Sequence, residues 1–212
     1  MAWRGPAVLA LLVVLGAVGG FGMSRGLADA SVGEGAAQPV GTEHPSPPGD
    51  EAFVPRDDPT DAPLLPGIEL TEARLGTGRS AIVFPVPVGW KANYLSADVV
   101  KWKKPKTSNN TYVMRVTDVR SRNQTADAAI DTEIAAMDAN RDKRFIPLSR
   151  NKTSIEYTYI STEGRLRHSF MSWVDLDEDG LVDAQVVVHG RDADVPGASD
   201  LIERVVAGLS AG

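Results

Sequence analysis

The sequence predicts an α+β fold, an antiparallel sheet flanked by helices, that follows an N-terminal membrane helix and a disordered linker. Three observations predict it. Residues 5–23 carry no charge, residues 31–66 are rich in proline and acids, and residues 67–212 read as strands, a helix, more strands and a second helix. We therefore divide the chain into a signal-anchor or transmembrane segment (1–30), a linker (31–66) and an extracytoplasmic domain (67–212).

The uncharged segment is long enough to cross a membrane. As a helix, its 19 residues would span roughly 28 Å, close to the hydrocarbon thickness of about 30 Å. It follows Arg4, and a short cationic N-terminal flank directs the C-terminal side across the membrane. We therefore expect a single-pass protein, anchored through residues 5–23, with its domain outside the cytoplasm. The alternative is secretion after cleavage near Ala30, since residues 28–30 (Ala-Asp-Ala) have the small-x-small form of a signal peptidase site.

Composition excludes several classes of function. Residues 67–212 carry 19 basic and 20 acidic side chains, so the domain is almost neutral and nucleic acid is not an expected partner. The chain has no cysteine, which excludes disulfides, thiolate metal sites and lipid attachment at an N-terminal cysteine. The domain must therefore be stabilised by its own core. No cofactor is expected, except that calcium remains possible at one acidic hairpin.

The linker is predicted from its proline content and charge. Residues 31–66 hold eight prolines and seven acids against a single arginine. Such a segment buries too little apolar surface to offset the entropy lost on ordering. Its prolines and like charges favour an extended spacer that lifts the domain off the membrane.

Strand patterns occupy the first half of the domain. Weak alternation predicts a strand over 68–75, and apolar or alternating runs predict strands over 81–84, 98–103 and 111–118. Pro85 and Pro87 follow the second of these runs. Because proline cannot donate a hydrogen bond to a neighbouring strand, this segment is expected at a sheet edge or a turn, not in a central strand.

A helix, a meander and a second helix complete the domain. Thr125 is a suitable N-cap for a helix over 126–140, whose apolar residues recur at helical spacing. The final helix begins near Val195 and has an apolar stripe that ends at Leu209. Between the helices, strand patterns cover 145–148, 154–162, 165–176 and 181–189, with turns at residues 163–164 and 178–180.

One short motif resembles a known family. Residues 84–91 read FPVPVGWK, and Pro87-Val88-Gly89-Trp90 resembles the P-x-G-W segment of the PsbP-like α/β/α sandwich. The order of elements over 80–210 is similar to that fold, and the chain resembles LpqN-type lipoproteins of actinobacterial envelopes. Those lipoproteins have a lipobox cysteine, so here the membrane segment would replace the lipid. The resemblance implies a non-enzymatic accessory or binding role and transfers no catalytic residue.

An acidic hairpin is the candidate metal site. Residues 175–180 read DLDEDG, a spacing that lets alternate carboxylates converge on calcium while Gly180 permits a sharp turn. The twelfth position of such a loop is Val186, not the glutamate of a helix-loop-helix calcium site. The alternative is an acidic hairpin tip with a favoured Asp-Gly turn. The candidate ligands are Asp175, Asp177, Asp179 and Asp183.

A run of lysines is the candidate binding surface. Lys101, Trp102, Lys103 and Lys104 are expected to form a basic patch, to which Lys91 and Lys106 also contribute. Such a patch would contact anionic envelope polymers or phospholipid headgroups. The alternative is a charged edge strand that discourages aggregation.

Two histidines lie on the arms of the acidic hairpin. The side chains of His168 and His189 are expected on the same face of the sheet. They could begin a zinc site, but structural zinc needs about four ligands. Ordinary hydrogen-bonded sheet residues are therefore the favoured interpretation.

Together these patterns favour a non-enzymatic, membrane-tethered or secreted envelope protein that acts as a binding or accessory module. Its partners would be the membrane and a larger envelope or membrane protein complex. One alternative is a calcium-dependent adhesion or sensor module that uses the acidic hairpin. Another is a hydrolase of envelope components, which would need a nucleophile and a base in one pocket.

The predicted topology can be measured with reporter fusions. We expect a C-terminal alkaline phosphatase fusion to be active, because that enzyme folds only outside the cytoplasm, and a C-terminal cytosolic reporter to be inactive. A fusion in which residues 5–23 are deleted is the control and should reverse both results. Activity of the cytosolic reporter alone on the intact chain would contradict the predicted topology.

Overall fold

The computed structural model describes residues 53–108, 111–140 and 144–212. The predicted membrane segment and residues 31–52 of the predicted linker lie outside this part of the chain. Within the described ranges, neither helix is long and apolar enough to cross a membrane.

The described residues form two antiparallel sheets and two helices. The larger sheet has seven strands in the order β3-β4-β5-β9-β8-β7-β6, and the smaller has the order β1-β2-β10. The predicted antiparallel α+β fold is thereby confirmed. The elements are β1 (Leu70–Leu75), β2 (Ile82–Pro87), β3 (Lys91–Ser96), β4 (Val99–Lys103), β5 (Val113–Asp118), α1 (Ala126–Ala139), β6 (Ile146–Arg150), β7 (Ser154–Ile160), β8 (Leu166–Val174), β9 (Ala184–Gly190), α2 (Val195–Ala207) and β10 (Ser210–Ala211).

The seven-stranded sheet separates two hydrophobic cores. Successive residues of a strand point to opposite faces, so a strand that is apolar at every position contributes to both. In β9, Val186 and Val188 join a core with α2 and the small sheet, which we call the α2 core. Val187 joins the opposite core, the α1 core, which contains Ile130 of α1 and Trp173 of β8. The helices therefore flank the sheet on opposite faces.

Both helices begin where the sequence predicts. The Thr125 side chain accepts a hydrogen bond from the Ala128 amide at 3.3 Å and so satisfies one of the free N–H groups of the first turn of α1. Helix α2 begins at Val195 with proline in its first turn, where the missing amide hydrogen costs nothing. Its residues Leu201 and Val205 are fully buried in the α2 core.

The position of β2 differs from the prediction that its prolines exclude a central strand. β2 lies between β1 and β10. However, β10 pairs only with Ile82 and Val83, while β1 pairs along the whole strand. Pro85 and Pro87 therefore lie where β2 has a neighbour on one side only, and the missing amide hydrogens break no ladder on the open side.

Strand β3, which the sequence pattern did not predict, forms one edge of the seven-stranded sheet. All six of its residues are exposed, so it has no alternation of buried and exposed positions to reveal it. It pairs antiparallel with β4. The opposite edge is β6, which is also exposed throughout and pairs with β7.

Residues 53–66, which we call the strap, lie against the domain although composition assigns them to the linker. The Arg56 amide donates to the Gly164 carbonyl at 2.8 Å, and Asp58 pairs with Arg167 at 2.6 Å. Leu64 is buried in the α2 core. A Cβ on Gly197 would lie 2.2 Å from the Leu64 carbonyl oxygen, so only glycine in α2 permits this approach. The compact unit therefore begins upstream of residue 67.

A buried ion pair holds the strap in place. Asp194 is fully buried and accepts hydrogen bonds from the Arg191 guanidinium at 2.7 and 2.8 Å and from the Leu64 amide at 2.9 Å. Arg191 in turn donates to the carbonyls of Pro59 and Asp61 at 2.7 and 2.9 Å. Burial alone would raise the pKa of Asp194, but these hydrogen bonds outweigh burial and hold the pKa below its ordinary value.

We expect the substitution Asp194→Ala to lower the free energy of unfolding by roughly 3–5 kcal/mol, because it leaves the buried Arg191 charge without a partner. The exposed neighbour Asp192 is the control, and Asp192→Ala should change stability by less than about 0.5 kcal/mol. Urea unfolding measures both. Equal effects of the two substitutions would contradict this account.

The same ion pair gives the protein a defined acid sensitivity. Because the folded pKa of Asp194 is depressed, its stabilising contribution is complete above the unfolded pKa of about 4 and is lost as pH falls through the lower folded value.

Candidate binding surfaces

A tight turn after β2 forms the rim of a groove. The Trp90 amide donates to the Pro87 carbonyl at 3.1 Å, which closes a four-residue turn. Gly89, at the third position, has φ of +79°, as a type II turn requires. The P-x-G-W motif thus has a local cause: Pro87 ends β2 at the first position of the turn, glycine permits the positive φ at the third, and Val88 is left 50% exposed at the tip.

The groove beside this turn has a volume of about 630 Å³ and is walled mainly by apolar side chains. Trp90 and Tyr112 are buried and stack with ring centroids 5.6 Å apart. The strap supplies a further wall through Leu64 and Leu65, and Leu65 is 62% exposed. Polar groups are few in the lining, chiefly Glu69 and Lys104.

The lysines of the predicted basic patch line one pocket, whereas Trp102 lies on the opposite face of the sheet. β4 is the second strand of the sheet, not an edge, and its side chains alternate. Trp102 packs against the α2 core, while Lys101 and Lys103 line a cavity on the other face together with His189. Lys104 lies beyond the end of β4 and lines the apolar groove. Three of the four predicted residues, Lys101, Lys103 and Lys104, nevertheless line a second pocket together with Lys91 and Lys106, and only Trp102 is separated from them.

The surroundings of Lys103 lower its pKa. Burial lowers the pKa of Lys103, and the neighbouring Lys101 charge lowers it further. The Lys103 ammonium donates to the Ser108 carbonyl at 2.8 Å.

The acidic hairpin brings together three of its four predicted ligands. Carboxylate oxygens of Asp175, Asp177 and Asp183 all lie within 4.8 Å of one another, and Asp179 is not part of this group. Backbone hydrogen bonds fix the arrangement: Asp175 accepts from the Gly180 amide at 2.7 Å, and Asp183 accepts from the Leu176 amide at 2.7 Å. The second oxygen of Asp175, Oδ1, is buried and accepts no hydrogen bond.

A nearby arginine already offsets part of this negative charge. Arg120 forms an ion pair with Asp118. Its pKa is raised, first by the hydrogen bond to Asp118 and to a smaller degree by the charges of Asp183 and Asp177. The hairpin can therefore offer hard oxygen ligands to calcium, in competition with a guanidinium.

The two histidines lie on opposite faces of the sheet, so the prediction of a shared face was wrong. His168 is opposite Gly190 in the register of β8 and β9, whereas His189 is opposite Ser169. A register one residue away from the expected one moves a side chain to the other face. His168 and His189 therefore cannot join in one metal site.

His168 has a carboxylate partner. Its Nε2 lies 2.7 Å from Glu156 Oε1, and the Ser149 hydroxyl donates to the other oxygen of Glu156 at 3.1 Å. Glu156 thus stands between serine and histidine. In a hydrolytic triad the histidine stands between serine and acid, so this arrangement does not place His168 to deprotonate Ser149.

Sequence reasoning missed two features of these surfaces. The strap was overlooked because its prolines and acids have no strand or helix periodicity. The cationic residues Arg115 and Arg167 were overlooked because each lies in an otherwise alternating strand. A charged residue at an inward position of a strand is the signal that could have identified them.

No protein-family model matches the sequence, and no curated protein is significantly similar to it. The resemblance to PsbP-like and LpqN-type proteins therefore rests on the motif at residues 87–90 and on the order of the elements.

Proposed function

We propose that the protein is a non-enzymatic binding module of the cell envelope, held at the membrane through residues 5–23, whose groove receives an apolar segment of a partner protein. The observation that carries this proposal is the apolar groove beside the Pro87–Trp90 turn. Binding sites are typically concave and largely apolar with few polar groups, and this groove has that composition. Secretion after cleavage near Ala30 is the alternative form of the same protein.

The exposure of apolar residues at the rim supports a macromolecular partner. Leu65 and Val88 are large side chains that remain mostly exposed on either side of the groove. Apolar side chains clustered around a concavity are typical of interaction sites. Lys104 at one end would face an acidic residue next to the apolar segment of the partner.

The fold is consistent with the family proposal. We infer a PsbP-like sandwich of the LpqN type, with helices on both faces of an antiparallel sheet and the P-x-G-W turn at the groove. Members of that fold typically assist larger membrane or envelope complexes. An accessory role in such a complex is therefore the proposed context for the groove.

The groove can be tested with a defined probe, 1-anilinonaphthalene-8-sulfonate, which joins an apolar ring system to an anionic group. We expect Val88→Glu to weaken dye binding by roughly tenfold, because it places a charge at the apolar rim and repels the sulfonate. The matched control is Leu148→Glu, a similarly exposed apolar residue on β6. Fluorescence titration measures both, and equal loss in the two variants would reject the groove as the binding site.

The partner itself can be trapped in cells. A photoreactive residue at position 88 should crosslink to one discrete envelope protein, and one at position 148 should not. The crosslink at position 88 should be lost when Leu65→Glu is added. A crosslink pattern that is the same at both positions would count against the proposed function.

The acidic hairpin favours a second candidate function, a calcium-dependent adhesion or sensor module. The specific observation is the convergence of Asp175, Asp177 and Asp183 within 4.8 Å. Calcium accepts six to eight oxygen ligands, and three carboxylates with solvent could provide a weak site of the kind found in extracellular modules.

For this candidate, we expect millimolar calcium to raise the melting temperature of the wild-type protein and to have no effect on Asp177→Asn, which removes one charged ligand. Magnesium at equal concentration controls for ionic strength. Asp138→Asn, which alters an exposed acid of α1, is the control variant. A melting temperature that calcium leaves unchanged would eliminate this candidate.

A further inference from the structure

Basic residues are concentrated in one segment of an otherwise almost neutral domain. Residues 85–117 carry six basic side chains and a single acid, Asp98. Five of the six line one concavity of about 370 Å³, formed by β3, β4 and the loop after β4, which we call the lysine pocket. The other described residues of its lining are uncharged. The five are Lys91, Lys101, Lys103, Lys104 and Lys106.

The pairing of β3 with β4 brings three of these lysines to one face of the sheet. Lys91 lies opposite Lys103, and Asn93 lies opposite Lys101. Residues two apart in a strand share a face, so these side chains lie on the face opposite Trp102. Like charges directly opposite each other destabilise a sheet, so the arrangement weakens the pairing of β3 with β4.

Little of this positive charge is compensated within the domain. Lys103 donates to the Ser108 carbonyl at 2.8 Å and lies close enough to Asp61 of the strap for that charge to act on its pKa. In the described part of the chain, the other four lysines of the pocket have no carboxylate within ion-pair distance. A concavity lined by charges of one sign attracts ligands of the opposite sign.

Protection of a sheet edge explains only part of the lysine pocket. Lysine on an edge strand discourages pairing between molecules, and Lys91 on β3 has that position. β4 is internal, between β3 and β5, so Lys101 and Lys103 protect no edge. The lysines of β4 and of the loop after it therefore need a different explanation.

Two large apolar side chains lie beside the lysines on the edge strand. Tyr94 and Leu95 of β3 are 59% and 58% exposed. The register of β3 with β4 shifts between Tyr94 and Ser96, so Leu95 lies in a bulge without a partner on β4. Bulges at sheet edges redirect side chains. Leu95 is two residues, or about 7 Å along the strand, from Asn93 in the lining of the lysine pocket.

We propose that the lysine pocket, together with Tyr94 and Leu95, forms a surface that docks on a bilayer containing anionic lipids. Clusters of lysines attract anionic headgroups, and each lysine near the bilayer surface adds to the attraction. Tyrosine is enriched at the membrane–water interface, and an apolar side chain beside it can enter the boundary of the acyl chains. A soluble anionic polymer would contact lysines alone, so the two exposed apolar side chains favour the bilayer.

The docking surface adds an orientation to the proposed function. It rests on the proposed tether only in that residues 5–23 would keep the domain close to a bilayer. Lys104 and Pro105 line both the lysine pocket and the apolar groove. A docked domain would therefore hold the groove next to the bilayer, where it could receive a partner segment that lies near the membrane surface.

The test uses the full chain with bicelles of phosphatidylcholine, either alone or mixed with phosphatidylglycerol. Mass spectrometry measures how fast a soluble reagent acylates each lysine. We expect phosphatidylglycerol to slow acylation of Lys91, Lys101, Lys104 and Lys106 on the order of tenfold, because docking shields them. Lys152, an exposed lysine between β6 and β7, is the internal reference and should not change. High salt should remove the protection, because it screens the attraction.

Matched variants separate the charges from the apolar side chains. Lys106→Gln should reduce the protection of the remaining lysines roughly fivefold, whereas Lys152→Gln, which changes the net charge equally, should have no effect. Leu95→Ser should also reduce the protection several-fold, because serine gains nothing from the acyl boundary. Leu148→Ser on the opposite edge, where leucine is 51% exposed, should not. These side chains are exposed, so an unchanged melting temperature in each variant confirms that the fold is retained.

The comparison of the two bicelles keeps docking distinct from the tether. Both compositions accept an apolar helix, so a difference between them reports the docking surface, and the reporter fusions test the tether separately. Equal acylation rates in the two bicelles, or equal protection of Lys152 and the lysine pocket, would overturn the proposal. Protection by soluble poly(glycerol phosphate) that equals the protection by phosphatidylglycerol, and that Leu95→Ser leaves unchanged, would identify a polymer ligand and reject the bilayer.

Discussion

The rest of the structure depends on the buried ion pair between Arg191 and Asp194, which connects the strap to the segment between β9 and α2. It lies between the end of β9 and the start of α2, and its remaining donors and acceptors hold the strap through Pro59, Asp61 and Leu64. An unpaired buried charge is strongly unfavourable, so the ion pair stays intact in the folded protein. The hydrogen bonds from the pair then hold the strap against the domain. Leu64 and Leu65 can line the groove only because this pair positions them.

Alternation along the central strands gives the domain two chemically different surfaces. Tyr112 stacks on Trp90 and lines both the apolar groove and the smaller cavity beside His189, whereas its neighbour Val113 lines only that cavity. One chain segment thus contributes to both concavities.

Much of the fold could be predicted from the sequence because its strong signals are local. The Thr125 cap, the helical spacing after it and the turn at Glu163-Gly164 each depend on a few neighbouring residues, and the structure contains α1 and α2 as expected. β3 could not be predicted, because an exposed edge strand needs no apolar alternation. The meander of β7, β8 and β9 was predicted from its turns, but the position of β5 beside β9 could not be, since that pairing joins distant segments.

The candidate sites were harder to predict, because they depend on register and on unpatterned segments. A difference of one residue in the pairing of β8 and β9 separates His168 from His189. Lys101 and Lys103 of β4 were recognised as basic, but the separation of Trp102 from them follows from β4 being an internal strand with a core on the Trp102 side. The sequence predicts a linker at the strap because the strap is attached through backbone carbonyls that accept hydrogen bonds from Arg191. Every residue type has such a carbonyl, so the amino-acid sequence does not reveal this attachment.

Pro85 and Pro87 of β2 limit how the small sheet could pair with a strand of a second molecule. β10 pairs only with the first two residues of β2, and beyond them Gly208 lies against Pro85 without extending the ladder. A strand of a second molecule that paired there would use both donors and acceptors of β2, and Pro85 and Pro87 supply no amide hydrogen. The small sheet thus offers only an incomplete edge to a further strand, which disfavours growth of the sheet from one molecule to the next.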